Sequence, residues 1–303
     1  MQFPKTLLDL QAQFPDEESC WAYLRRVRWP RGFVCPRCDS RRSHFLATRR
    51  LEQCSRCRYQ ASVTAGTVLH GTRVSLRVWF LGAFFLGRHK KGISALQFQR
   101  DTGLGSYQTA WCLLHKLRSG LARSNPADRL TGPVEADETY LGGYHRGRGR
   151  GLGKTGVAVA VERREKCAGK ARLEVVRRAT SEELCAFIRG AIDARRTEVF
   201  TDGWAAYHRL GKEGVSHHPE VAGKGPAAAE KLAWAHTIFG NLKGWIHGTF
   251  HGVSGKYVQL YLDEFIYRFD RRWREDQLFG FVLRRATRSQ PLPFHRLTAE
   301  RSG

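Results

Sequence analysis

Apolar residues recur at helical spacing through the first third of the chain and at strand spacing through its middle. Residues 6–13 and 16–26 read as two short helices. From 74 to 121 the pattern is helical throughout, opening on an apolar helix at 76–86. Residues 92–105 form a short helix ended by a glycine turn, and Ser106 can cap a second helix after it. In that second helix Ala110, Leu113, Leu114 and Leu117 share one face, at i, i+3, i+4 and i+7. Tyr107, Gln108, His115, Lys116 and Arg118 are left for its outer faces. Helix, short turn, helix suits a DNA-reading helix-turn-helix and equally an ordinary α-hairpin of a core.

Beyond residue 130 the period shifts towards two. In 134–140 Val134 and Ala136 alternate with Glu135 and Asp137. Further strands are expected at 155–161 and 171–176. A helix follows, with Thr180 and Glu183 as its capping box and Leu184, Phe187, Ile188 and Ile192 as its apolar stripe. A fourth strand, 198–202, ends in Asp202 and Gly203; a fifth is expected around 215–221 and a helix around 231–242. This α/β order is that of a ribonuclease-H-like fold, whose first and fourth strands lie side by side. Asp137 and Asp202 would then meet despite their separation in sequence, and the last helix would bring position 236 to them. Paired carboxylates and a third ligand are what two-metal phosphoryl transfer needs, and oxygen ligands suit Mg²⁺. An aspartate at a strand end is also an ordinary turn former.

A length of 303 residues suggests two or three domains. The boundaries expected are 1–66 for N-terminal helices and a cysteine-bearing ribbon, 67–125 for the helix-turn-helix-like region, 130–280 for the catalytic domain and 281–303 for a basic tail. Lys and Arg total 51 against 28 Asp and Glu, a formal charge of +23. Such an excess implies a polyanionic partner, nucleic acid by default and an anionic membrane surface otherwise. The longest apolar run, 78–86, is far short of a bilayer span, and Met1-Gln2-Phe3-Pro4-Lys5 lacks the apolar stretch of a signal peptide. A cytoplasmic, nucleoid-associated protein is expected, with DNA and not a membrane as its partner.

Four of the eight cysteines form two pairs, Cys35-Pro36-Arg37-Cys38 and Cys54-Ser55-Arg56-Cys57. Two Cys-x-x-Cys turns at this separation close a tetrahedral, structural Zn²⁺ site with no open position. A redox-active pair is the competing reading. Arg31, Arg37, Arg41, Arg42, Arg49, Arg50, Arg56 and Arg58 make the ribbon strongly basic and suited to phosphate contact. Gly147 to Thr155 looks at first like a phosphate-binding P-loop, but that motif would need glycine where Arg148 stands. A basic loop gripping the DNA backbone through Arg146, Arg148, Arg150 and Lys154 fits better, with Lys116 and Arg118 as further DNA contacts.

Together these segments resemble the zinc-ribbon insertion-sequence transposases of the 1595 family, in the DDE recombinase superfamily. The resemblance runs from about Phe14 to Arg285. It rests on Arg28-Trp29-Pro30-Arg31-Gly32-Phe33-Val34-Cys35-Pro36, on Ala110-Trp111, and on Val134-Glu135-Ala136-Asp137-Glu138-Thr139-Tyr140-Leu141-Gly142-Gly143. It continues through Thr201-Asp202-Gly203-Trp204-Ala205-Ala206-Tyr207, Trp234-Ala235-His236, Asn241-Leu242-Lys243-Gly244-Trp245-Ile246-His247-Gly248-Thr249 and Tyr261-Leu262-Asp263-Glu264-Phe265-Ile266-Tyr267-Arg268-Phe269.

The family's third position varies among Glu, Asn and His and is followed by Lys. The resemblance therefore implies an Asp-Asp-His-Lys set of Asp137, Asp202, His236 and Lys243, with Mg²⁺ or Mn²⁺ on the first three. By the residues alone His236 reads more readily as a core histidine between Trp234 and Phe239, and imidazole is a poorer Mg²⁺ ligand than carboxylate. Glu135, Glu138, Glu230, Asp263 and Glu264 are fallback acids. Gly255 stands where the family often has Pro, and Asp270 where Asn is usual. The implied activity is cleavage at element ends and joining of 3′-hydroxyls to target DNA. The implied partners are terminal inverted repeats and target DNA, bound by at least a dimer. The competing function is a zinc-ribbon, helix-turn-helix regulator whose ribonuclease-H-like domain is inactive.

Overall fold

A computed structural model describes residues 3–122, 128–142, 153–220 and 231–299. The chain divides into two compact units, Met1–Leu121 with Trp273–Gly303, and Ala122–Arg272.

In the first unit, α1 (Leu7–Gln13) and α2 (Glu17–Arg28) begin at Thr6 and Asp16, whose side chains each accept the N–H three residues on. The ribbon follows as a three-stranded antiparallel sheet of β1 (Ser43–Leu46), β2 (Leu51–Cys54) and β3 (Gln60–Ala61). Buried Glu52 ties it to α2 by pairing with Arg25, and it also accepts from Ser43. Then come α3 (Leu76–Arg88), α4 (Ala95–Thr102) and α5 (Tyr107–Leu121). Ser94 caps α4, and Gly103 ends it at φ +68°, as a glycine turn requires. A Cβ on Gly82 of α3 would lie 2.9 Å from a Leu113 methyl, so glycine there lets α3 and α5 approach closely.

The C-terminal segment Leu278–Arg288, drawn from the sequence as the end of one domain and the start of a basic tail, is a helix of this first unit. Leu278, Phe279, Val282, Leu283 and Ala286 are buried. The Phe279 ring packs among Phe14, Phe80, Phe84 and Tyr23, with centroids between 5.8 and 6.5 Å away. The run of arginines masked an amphipathic helix whose apolar face is continuous.

The second unit is built on a five-stranded sheet in the order β6-β5-β4-β7-β8. Its strands are β4 (Leu130–Leu141), β5 (Thr155–Arg163), β6 (Ala168–Val176), β7 (Ile192–Thr201) and β8 (Ser216–Pro219). β4, β5 and β6 are antiparallel neighbours, whereas β4 with β7 and β7 with β8 are parallel. Between β6 and β7 runs α6 (Ser181–Ala191), capped by Thr180. Glu183 reaches back to the N–H of Arg178, two residues before the N-cap N–H that a capping box would use. A short helix, α7 (Arg209–Lys212), precedes β8; α8 (Ala233–Phe250) and α9 (Val258–Phe269) follow it.

Alternation along β4 separates two cores. Val134, Ala136 and Tyr140 belong with α6, Ala206, Tyr207 and Leu210. Leu141, with Val157, Val159 and Val161 of β5, belongs with α8 and α9. This is the ribonuclease-H-like α/β arrangement expected, preceded by the ribbon and the helical region. Among the described residues no helix is long and apolar enough to cross a membrane.

Candidate active site and metal centres

Burial makes β4 an unusual strand. Between Val134 and Tyr140 it carries Glu135, Asp137 and Glu138, which are 2%, 8% and 5% exposed. Ionised carboxylates so placed need partners or cations. Asp137 lies on the α8 face of the sheet. In the parallel pair Val134 stands opposite Val199 and Glu135 opposite Phe200. Two residues further along each strand are Asp137 and Asp202, which the register therefore brings level. Asp202 sits just past the end of β7. It accepts the Trp204 N–H at 2.9 Å, and Gly203 at φ +79° turns the chain away. Both aspartates act on one neighbour. Burial first, then Glu138, Asp137 and Asp202 hold the Tyr207 phenol well above its ordinary pKa.

His236 occupies the first turn of α8, and its Nε2 lies 3.3 Å from Asp137 Oδ2. Its side chain is 48% exposed, so it is not a core histidine. Lys243, exposed on the same helix, is within about 20° of the same face. Oxygen donors from two aspartates and one imidazole nitrogen make a set that Mn²⁺ accepts more readily than Mg²⁺. Among the described residues, only the zinc-ribbon cysteines bring three or more ligand atoms within 4.8 Å of one another. Asp137, Asp202 and His236 are spaced more widely than one closed four-ligand site.

The acids beside Asp137, considered as fallback ligands, are already engaged. Glu135 Oε2 accepts the N–H groups of Trp234 and Ala235, each at 2.9 Å, and its Oε1 takes Arg163 Nε at 3.0 Å. Arg163 also forks onto Glu220, donates to the Lys231 carbonyl and lies over the Phe200 ring. Glu138 points to the α6 face and accepts the Tyr207 hydroxyl at 2.7 Å. Glu264 is buried on α9 beside Arg268, and Asp263 accepts from Gln259. Glu230 lies outside the described residues. Asp270 accepts from the Ala171 N–H and pairs with Arg172, against burial that raises its pKa.

The sequence reading missed Tyr207, Arg163 and the bonding of Glu135. The signal was present: three acids in seven positions of a buried strand require donors, and a helix start without a capping side chain supplies them.

In the ribbon, Sγ atoms of Cys35 and Cys57, and of Cys38 and Cys54, stand 3.6 Å apart. Four thiolates around one Zn²⁺ at ~2.3 Å require a spacing of about 3.8 Å. The quartet therefore fits zinc. The backbone N–H of Cys57 is the main cause that brings Cys54 down to about 6. Cys38 is favoured as thiolate by the Ser40 backbone, yet burial and the neighbouring thiols push it up to about 12. One shared ion would hold all four deprotonated.

The DNA-contact candidates divide. Lys154 is exposed and Lys116 half-buried, while Arg146, Arg148 and Arg150 lie outside the described residues. Arg118 and His115, expected on the outer faces of α5, are instead buried. His115 stacks on Trp111 at 4.1 Å and donates from Nδ1 to the Trp111 carbonyl. Burial first, then Arg118, lowers its pKa to about 3. The inward face of α5 is wider than the leucine stripe suggests, and these two long side chains fill it.

Comparison with known proteins agrees with this geometry. Residues 129–270 match the ISXO2-like transposase domain, and residues 15–60 match the transposase zinc-ribbon domain. The chain is 27% identical over 220 residues to an uncharacterized protein in transposable element ISH50 of Halobacterium salinarum, covering 66% of this chain and 72% of that protein. No solved structure matches the chain significantly. With its four-cysteine ribbon and its mixed sheet carrying the transposase domain, the chain belongs to the zinc-ribbon insertion-sequence transposases of the 1595 family.

Proposed function

We propose that the protein is an active DNA transposase, cleaving at the ends of its element and joining the freed 3′-hydroxyls to target DNA. The observation that carries this reading is the contact of His236 with Asp137, on a strand whose register draws Asp202 level. Asp137, Asp202 and His236 would hold divalent cations, which when bound polarise the attacking oxygen and stabilise the leaving one. In cleavage, a water oxygen forms a bond to phosphorus while the bond to the 3′-oxygen breaks, and that oxygen leaves as a hydroxyl. In joining, the 3′-hydroxyl attacks a target phosphodiester and displaces another 3′-oxygen, so the number of phosphodiesters is unchanged.

The chain's own groups orient this chemistry. Asp137 and Asp202 fix negative charge at the reacting end of the sheet. His236 and Lys243 set a donor and a cation along one exposed face of α8, suited to a phosphate. Lys154, Lys116 and the arginines 146, 148 and 150 supply backbone contacts to DNA.

Incubating the protein with labelled element-end DNA in Mn²⁺ or Mg²⁺ tests the proposal. Wild type should nick and join, and Asp137→Ala should lose activity by at least about a thousandfold, as for a group acting directly in the chemistry. Equal, negligible cleavage by both proteins would favour the DNA-binding regulator. Cleavage without joining would indicate a nuclease.

A further inference from the structure

Asp137 is flanked by two buried glutamates whose bonds run to the two other segments of the site. Glu135 lies on the same strand face as Asp137, about 7 Å away along the strand. Its carboxylate receives two N–H groups in the first turn of α8, those of Trp234 and Ala235. Leu232, at the N-cap, has no side-chain bond to offer, so β4 itself caps this helix. The next residue after Ala235 is His236, which meets Asp137. A carboxylate suits this place twice over, as acceptor for orphan N–H groups and as a negative charge at the positive end of a helix. Arg163 neutralises its remaining oxygen.

On the opposite face Glu138 receives the hydroxyl of Tyr207. Tyr207 ends the short turn Ala205–Tyr207 that follows Asp202. That turn is otherwise fixed by the bond from Trp204 to Asp202 and by Ser181 donating to the Ala206 carbonyl.

We propose that Glu135 and the Glu138–Tyr207 pair are positioning groups, which fasten the His236 helix and the Asp202 turn to β4 on either side of Asp137 and so set the spacing of the metal-binding set. This inference rests on the reading of Asp137, Asp202 and His236 as cation ligands. Glu135 is not itself a ligand, because its two oxygens already accept three donors. Glu138 is not one either, because it points away from the face that holds Asp137.

Two conservative variants test the brace in the full-length, zinc-loaded protein. Glu135→Gln sets an amide N–H₂ against either Arg163 or the helix start, and Tyr207→Phe removes a hydroxyl while keeping the ring. Hydrogen exchange, without added Mn²⁺ or Mg²⁺, should quicken at Trp234–Ala235 in the first variant and at Gly203–Tyr207 in the second, and stay unchanged in the zinc ribbon. Mn²⁺ binding, followed by its electron paramagnetic resonance, should weaken roughly ten- to a hundredfold, the usual effect of losing an outer partner of a ligand set. Affinity for element-end DNA should be retained, and excess Mn²⁺ should restore cleavage.

Unchanged local exchange in both variants would overturn the brace. So would altered exchange with wild-type Mn²⁺ affinity, which makes these bonds structural only. If wild type and Asp137→Ala take up Mn²⁺ alike, the metal reading has failed, and with it the claim that the brace sets ligand spacing; quickened exchange would then still identify the two fastenings.

Discussion

At the residue scale the decisive position is 236. A glutamate there would give the cluster a third negative charge, whereas His236 supplies a neutral or cationic ring 3.3 Å from Asp137 Oδ2. With no cation between them the two side chains can pair directly. A cation must compete with that contact, and the one that tolerates nitrogen best should win. We therefore expect His236→Glu to raise cleavage in Mg²⁺ relative to Mn²⁺, and His236→Ala to lose activity in both, by about ten- to a thousandfold. Rates measured in each metal at saturating DNA check this; an alanine variant equal to wild type in both would remove His236 from the chemistry. That Asp137 and Asp202 would lie level was legible in the sequence, because Asp137 sits within one strand-like run, Asp202 ends another, and glycine follows each run. Tyr207 and Arg163 were not. Their roles depend on partners 69 and 28 residues away, which no local pattern encodes.

Elements repeat the lesson with different causes. The sheet was readable because β4, β5 and β6 alternate or run continuously apolar, and their lengths fell short at the ends, where polar, glycine and proline residues break the pattern while the strand continues. β7 starts at Ile192, well before the apolar run at 198, because its half-buried Asp193 and exposed Arg195 and Arg196 carry no apolar signal. α8 extends to Phe250, past the 231–242 expected, since Gly240, Gly244 and Gly248 disguise a helix whose buried side is Ala235, Ile238, Phe239, Leu242 and Ile246. The ribbon was legible from cysteine spacing alone. Its apolar core is only Phe33, Ala61 and two of the cysteines, with Trp29 and Tyr59 partly covering them. Such a core cannot stand without its ion, whose binding in zinc-finger peptides is worth roughly 10–16 kcal/mol. Chelation, or Cys54→Ser, should release zinc and unfold the ribbon while leaving the sheet's circular-dichroism signal in place. Retention of a full zinc equivalent by Cys54→Ser would contradict the four-thiolate site.

On the scale of the whole molecule the chain is discontinuous. The sequence suggested domains in succession, but the first compact unit takes residues from both ends of the chain and the transposase sheet is inserted between them. Composition could not reveal this, because Arg284, Arg285 and Arg288 make the last helix look like a solvated basic arm. Its opposite face says otherwise. Phe279 is fully buried among the rings of Phe14, Phe80 and Phe84, and Gly87 of α3 packs tightly against it, since a Cβ there would lie 3.1 Å from the Phe279 nitrogen. The Val68 N–H also bonds to the Ala286 carbonyl. The C-terminal helix is thus part of the core on which α2, α3 and α5 rest. Truncating a fully buried phenylalanine costs about 3–5 kcal/mol, a large share of the stability of a domain this size. Phe279→Ala should therefore lower the melting transition of the helical unit and weaken DNA binding, while Trp273→Ala, at an exposed ring, should leave the transition in place. Ending the chain at Arg272 should be more severe, exposing Phe14, Phe80 and Phe84 together and driving aggregation. Calorimetry separates the outcomes: a truncated protein that keeps the wild-type transition would mean that the C-terminal helix is an appendage and the N-terminal helices fold without it.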